Sequence, residues 1–301
     1  MIDLSLIVCT YNRASMLDDL LASFHSTLNF SGLNFELLII DNHSSDDTRN
    51  IALRWQNVPE MHLQYILEPQ QGSAYARNRA ISVASGNWLW FVDDDIYFAA
   101  DWLAGIHNAM HQFPQASAIA GRILLDFEQE VPSWLPDMAL NYYGLTRFGE
   151  HSRLLEENEY PISANAGFRR EIFAQIGNFR TDLGRKYRSL ISWDETELAM
   201  RIKQSGGQIA YGHGALVHHR VTMDRLTRRW LYRRVFADGI SQCRAQYLTH
   251  NPGALFCIKT ASNKIMLVLK KILKMQLTIS DQLWMMRRLG IAYQCLVRVF
   301  R

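Results

Sequence analysis

The chain has 301 residues and 48% hydrophobic content, enough to bury a full core, with room for one large domain plus an appendage. Its four cysteines, Cys9, Cys243, Cys257 and Cys295, lack CxxC spacing, which excludes a disulfide scaffold and points to a reducing compartment. The net charge of +3 hides an asymmetry: residues 1–220 hold 17 Lys+Arg against 26 Asp+Glu, and residues 221–301 hold 15 against 3. Such a basic tail calls for an anionic partner.

No basic n-region precedes the first apolar run, so the sequence predicts a cytoplasmic protein without a signal peptide. Strand and helix then alternate over the first 125 residues. Strands are expected at 4–9, 35–41, 62–67, 88–92 and 118–125. Helices are expected from Ser15 to about 28, after Ser44 and Ser45, over 73–85 and near 101–113. This rhythm predicts an α/β fold, a mostly parallel sheet covered by helices on both faces. Residues 127–160 break the rhythm and read as an irregular insertion of the kind that carries function. Regular structure resumes at 168–176 and 195–204, and from Leu226 the pattern is helical and basic.

The most informative run is Trp88-Leu89-Trp90-Phe91-Val92-Asp93-Asp94-Asp95. Five apolar residues predict a buried strand, and it ends in three carboxylates. Strand alternation points Asp93 and Asp95 the same way. Carboxylates crowded at a buried strand end need water, cationic side chains or a metal to compensate them. Hard oxygen ligands suit Mg or Mn, ions that bridge to phosphates. The carboxyl edge of an open α/β sheet is also where ligands bind.

Other motifs point to the same edge. Thr10-Tyr11-Asn12-Arg13 follows the first strand, a polar, aromatic and cationic set suited to a nucleotide or simply to a loop leading into a helix. Asp41 ends the second strand, where a carboxylate can accept hydrogen bonds from a base or ribose. Gly72 and small residues open the helix carrying Arg77, which is suited to offset phosphate charge.

Taken in order, T-Y-N-R, I-I-D-N-x-S-x-D-x-T, G-x-x-x-A-R-N and F-V-D-D-D resemble glycosyltransferase family 2 with the GT-A fold. The resemblance continues through residues 161–227. It implies a GT-A catalytic domain over 1–224, with a nucleotide-binding half over about 1–125 and an acceptor-binding half over about 126–224, followed by a basic helical extension over 225–301. It implies an inverting transfer of sugar from a nucleoside-diphosphate sugar, most often UDP, to an acceptor hydroxyl. Asp41 with Thr10, Tyr11 and Arg13 would hold the nucleobase and ribose, and Arg77, Asp93 and Asp94 are further nucleotide-binding candidates. Asp93 and Asp95 would bind a divalent metal, Mn or Mg, and His219 matches a family histidine that approaches it, with His218 the adjacent alternative. Asn165, Ala166, Gly167 and Trp193 would line the donor sugar and acceptor. The family base is the Asp of a Glu-Asp pair. Here the order is Asp194-Glu195, and alignment through Thr196-Glu197-Leu198 puts Glu195 on the base position, with Asp194 the alternative. Ser192-x-x-Glu195 also fits a capping box, a purely structural role.

Two other classes are weighed against this reading. A sugar nucleotidyltransferase calls for a glycine-rich loop after the first strand, and residues 9–13 hold no glycine. A non-catalytic nucleotide-sugar binder is suggested by the Asp194-Glu195 reversal and opposed by the intact Asp93 and Asp95.

In the tail, Lys264, Lys270, Lys271 and Lys274 share about a third of a helical wheel, with most apolar residues on the rest. No apolar run reaches the roughly 18 residues of a spanning helix. A basic amphipathic helix reads as an anionic membrane-surface element, not a nucleic-acid binder; helix packing is the alternative. The expected partners are a nucleotide-sugar donor, a glycan or polyprenyl-diphosphate-linked acceptor and the cytoplasmic membrane face.

Overall fold

The computed structural model describes residues 2–30, 32–187, 189–247, 252–273 and 277–299. Lys274, counted above in the lysine face, lies outside the described residues. The contacts divide the chain into two units. One comprises Met1–Asp126, Gly144–Thr181 and Leu198–Arg220; the other comprises Phe127–Tyr143, Asp182–Glu197 and Val221–Arg301.

The first unit is built on strands whose apolar residues alternate between two faces. Strands β1 (Leu4–Thr10), β2 (Phe35–Asp41), β3 (Leu63–Leu67) and β4 (Trp88–Asp93) pair in parallel in the order β3-β2-β1-β4. Leu4, Leu6 and Val8 of β1 join Trp88, Trp90 and Val92 of β4 in one apolar layer. Ile7, Leu89 and Phe91 face the opposite layer. Both faces are therefore buried, as a parallel sheet requires. Helices α1 (Ala14–His25), α2 (Thr48–Gln56), α3 (Ser73–Val83) and α4 (Trp102–Gln112) join these and later strands. Leu17, Leu20, Leu21 and Phe24 of α1 cover the first layer, and Ala74, Ala76 and Ala80 of α3 cover the second.

The sheet then turns antiparallel. Strands β5 (Ile96–Phe98), β6 (Ala116–Phe127), β7 (Arg153–Leu154), β8 (Asn165–Arg169) and β9 (Gln208–Val221) complete it. β8 pairs antiparallel with β4 and β6, and β9 with β5 and β7. The mixed, mostly helix-covered sheet and the C-terminal helices are the expected architecture. Helix α5 (Arg170–Ile176) follows β8, and α6 (Asp194–Gln204) precedes β9.

Helix starts are where local reading erred. Ser15 lies inside α1, and the first-turn N–H of Ala14 is taken by Asp46 Oδ2 at 3.0 Å. Ser44 and Ser45 do not cap α2. The same Asp46 accepts the Thr48 N–H at 3.1 Å, while Ser45 donates its N–H to Asn12. One carboxylate serves two helix starts 34 residues apart in the chain, a role no local motif announces.

In the second unit, α7 (Arg228–Gln246), α8 (Ala254–Ile272) and α9 (Ile279–Val299) pack together. Thr227 caps α7 by accepting the Trp230 N–H. Helices α7 and α9 cross at two glycines. A Cβ at Gly239 would stand 2.0 Å from the Arg287 carbonyl oxygen, and one at Gly290 would stand 2.1 Å from that of Phe236. Only hydrogen fits at either position. Cys243, Cys257, Ala261, Ile291, Ala292 and Cys295 form a small core among the three helices.

Candidate active site

The parallel register brings the motif residues to one edge. Thr10 of β1 pairs with Asp41 of β2, and Cys9 pairs with Asp93 of β4. Three strands therefore end level. Their loops are stitched together: the Asn12 N–H bonds Ser44 Oγ at 2.9 Å, and Asn12 itself takes a positive φ of 51°. The Asn42 carboxamide binds the Gln70 carbonyl at 2.6 Å and the Gly72 N–H at 2.7 Å, fixing the start of α3.

Asp41 is buried and firmly held. It accepts from the Ser44 N–H at 2.8 Å and from the Tyr65 hydroxyl at 2.7 Å. Burial, and then the Asp41 carboxylate, push the Tyr65 hydroxyl up to about 12, so it stays protonated and donates. Tyr65 carries no motif signal in the sequence; its place opposite Ile39 in β3 puts it beside Asp41.

The three carboxylates after β4 take different partners. Asp94 turns inward, accepting from Thr10 Oγ1 at 2.8 Å and from Arg13 at 2.6 Å. Arg13 also reaches Asp95 Oδ2 at 2.9 Å. Asp94 holds the Arg13 guanidinium well above its ordinary range, so it is a fixed positive charge among acids. Burial pushes the Asp94 carboxyl up, against the pull of Arg13. Thr10 and Arg13, expected at the nucleoside, are thus engaged with the acidic turn, whereas Tyr11 is 39% exposed. Asp93, 34% exposed at its side chain, lies 3.7 Å from Arg77, which also donates to Ser163 Oγ at 2.8 Å. Arg77 is itself buried, a residue held in place rather than a surface arginine.

His219 joins this group through the antiparallel pairing of β9 with β5. It stands opposite Ile96, next in sequence to Asp95. Alternation along β9 turns His219 inward and leaves His218 on the other face. Ligand atoms of Asp93, Asp95 and His219 lie within 4.8 Å of one another. His219 Nε2 is 3.1 Å from Asp95 Oδ1. Two ligands about 2.2 Å from one ion and at right angles stand about that far apart. Two carboxylates and an imidazole also suit Mn or another divalent ion. The residues fit a metal.

The other unit holds Trp193, Asp194 and Glu195. Trp193 has a positive φ of 76°, uncommon for a bulky residue and a sign of local strain. Its ring N–H donates to Asp238 Oδ1 at 2.7 Å, and Arg287 pairs with Asp238 at 2.8 Å. The Ser192 N–H goes to Ser241 Oγ at 3.0 Å, the place Glu195 would take in a capping box. Asp194 is buried and Glu195 is partly exposed, at the start of α6.

Asn165, Ala166 and Gly167 lie in β8, all fully or nearly buried. The Asn165 carboxamide accepts from Trp90 Nε1 at 2.8 Å and donates to the Ala215 and Arg122 carbonyls at 2.7 and 3.0 Å. It ties β4, β6 and β9 together, and this bonding engages both ends of its side chain.

A sequence model described as glycosyl transferase family 2 matches residues 5–177. The glucosyl-dolichyl phosphate glucuronosyltransferase of Haloferax volcanii is 24% identical over 79% of this chain and 75% of its own length. The succinoglycan biosynthesis protein ExoM of Rhizobium meliloti is 25% identical over 77% of this chain and 71% of its own. Among solved structures, the mannosyltransferase PcManGT from Pyrobaculum calidifontis, in complex with GDP-Man and Mn2+, superposes with a TM-score of 0.64 at 17% identity. That match covers 100% of this chain and 89% of that one. S. aureus TarS with UDP-GlcNAc gives 0.59 at 18%, over 97% and 81%. The fold is that of these GT-A enzymes, and the chain belongs to glycosyl transferase family 2.

Proposed function

We propose that this chain is an inverting, metal-dependent transferase. It takes a nucleoside-diphosphate sugar, with UDP the first candidate, and transfers the sugar to a hydroxyl of a lipid-linked or surface glycan. The observation that carries this reading is the Asp93, Asp95 and His219 cluster at the edge where β1, β2 and β4 end. The relatives in succinoglycan and dolichyl phosphate chemistry support the acceptor class.

Asp93, Asp95 and His219 would hold the ion. Bound there, a divalent cation supplies charge neutralisation for a departing diphosphate. Arg13 keeps Asp94 and Asp95 in position, so the carboxylates need not rearrange to bind. Asp41, oriented by Tyr65 and Ser44, accepts hydrogen bonds from the nucleoside, and exposed Tyr11 offers a face to the base. Arg77 adds positive charge beside Asp93. Glu195 removes the proton from the acceptor hydroxyl as that oxygen attacks the anomeric carbon. Its partial exposure favours it over buried Asp194. The catalytic domain spans residues 1–224. The basic stretch beyond it supports a peripheral position on the cytoplasmic membrane face. Among the described residues no helix is long and apolar enough to cross a membrane.

Calorimetric titration of UDP with Mn and again with EDTA tests the central claim. Binding that needs Mn is expected; equal affinity in both overturns the metal reading.

A further inference from the structure

Helix α8 is built inside out. Its buried residues are Cys257, Ala261 and Val268, of which only the last is branched. Its large apolar residues are outside: Phe256 (45%) and Leu267 (39%) are exposed beyond Lys259 and Lys270, and six more form one face, Leu255 at 80%, Leu269 at 56%, Met266 and Ile272 at 47% each, Ile258 at 43% and Ile265 at 37%. A helix bathed in water on its outer side normally shows the reverse. At about 100° per residue these six side chains fall within an arc of about 120°, interrupted only by Ala254 and Ser262. From residue 255 to residue 272 the arc runs for about 26 Å along the helix.

The charge around this arc has one sign. Helix α8 carries Lys259, Lys264, Lys270 and Lys271 and no acid. Lys259 and Lys270 stand within about 40° of the arc's edge. Lys271 is paired with Asp281 of α9 at 2.6 Å, and Lys264 stands near Cys295 of α9, which leaves exposed Lys259 and Lys270 for an outside anion. A second copy of the chain is a poor occupant. A two-fold contact through this arc would bring the bordering lysines of both copies together.

We propose that α8 lies flat in an anionic lipid surface, with the arc from Ile272 to Met266 among the acyl chains and Lys259 and Lys270 at headgroup level. This deepens, and rests on, the peripheral placement in the functional reading. It changes the expected physics. Attachment through lysines alone is screened by salt, whereas an immersed apolar arc holds at high salt.

The test is flotation of the full-length protein with phosphatidylcholine vesicles, with and without about a third phosphatidylglycerol, at low and high salt. Ile265→Gln/Leu269→Gln should lower partitioning at least about tenfold at both salt concentrations. Lys259→Gln/Lys270→Gln should lower it about 25-fold, roughly fivefold per lysine, at low salt only. All four positions lie outside the core, so melting temperatures should not move; Leu255→Gln is the milder variant if the double change lowers yield. Wild-type binding by Ile265→Gln/Leu269→Gln overturns the proposal. So does a stable dimer without lipid that the same variant dissociates, because a second copy would then own the face. UDP affinity in Mn should be equal in every variant. A wild-type protein that floats but does not bind UDP leaves α8 standing and removes the transferase reading instead.

Discussion

The sheet unit and helix α8 of the helical unit handle large side chains in opposite ways. In the sheet unit Trp90, Trp102, Phe24 and Phe91 are inside, and polar groups are gathered at the strand ends. There each carboxylate has a named partner: Asp41 with Tyr65, Asp94 with Thr10 and Arg13, and Asp95 with Arg13. In the helical unit α8 turns its small residues inward and its large ones outward. A sheet packed on both faces can hold charged groups still, because its own core holds the strands. A helix with few buried contacts adds little to a core, and its outer surface is the feature that calls for an explanation.

In the proposed mechanism, changes in the sheet unit act on donor affinity or stability, and changes at the start of α6 act on turnover. Glu195→Gln should have the largest effect. Turnover should fall by about 10²- to 10⁴-fold, with UDP affinity and melting temperature unchanged. An active Glu195→Gln beside a dead but folded Asp194→Asn would move the base to Asp194 and keep the division. Asp95→Asn comes next. It should remove the Mn-dependent part of UDP affinity, more than about 100-fold, and EDTA should then cause no further loss.

Asn165→Ala sharpens the contrast from inside the sheet. It removes the acceptor of the Trp90 and Trp102 ring N–H groups and a donor to two carbonyls, and should cost about 3 kcal/mol in urea denaturation. UDP affinity of the folded fraction should hold; a loss of affinity without loss of stability would return Asn165 to the ligand site. Asp41→Asn should weaken UDP binding about tenfold, the scale of one charge-assisted hydrogen bond, with little change in turnover at saturating donor. A collapse of turnover alone would contradict its assigned role.

The smallest effect is on acid stability. Hydrogen bonds from Thr48 and Ala14 hold Asp46 below the usual carboxylate range despite its partial burial, and Arg153 does the same for Glu159. Groups whose folded pKa is depressed stabilise the fold above their unfolded pKa and lose that contribution as pH falls through the folded one. Melting temperature should therefore begin to fall below about pH 4.5, the ordinary Glu value, and Asp46→Asn should flatten the slope. Asp46 is exposed and Glu159 only half-buried, so the change should be modest.

The fold was legible because its chemistry sits where a period changes. Apolar runs that stop at Asp41 and Asp93 mark strand ends, and parallel strands put those ends together. His219 was legible through its motif, and alternation along β9 turns it toward Asp95. What could not be read was which motif residues face each other. Thr10 bonds Asp94 across 84 residues, and Asn165 reaches Trp90 across 75. Neither pairing leaves a trace in local spacing, so a ligand contact and an internal brace look alike. The wheel of α8 showed where lysines cluster, but only packing against α9 decided which apolar residues remain outside.

The crossing of α7 and α9 works as a length standard. Backbone meets backbone at Gly239 and Gly290, so the separation of the two helices is set by atoms that have no rotamers. Asp238 is the neighbour of one glycine, and Arg287 lies three residues before the other. Asp238 accepts the Trp193 ring N–H, Arg287 pairs with that Asp238, and Trp193 turns the chain into Asp194 and Glu195. One methyl group at either glycine would wedge the helices apart and pass that displacement along this chain of contacts. Errors of about 1 Å in the position of a reacting group cost on the order of 100-fold in rate. With Glu195 as the proposed base, Gly290→Ala would register as a defect in chemistry.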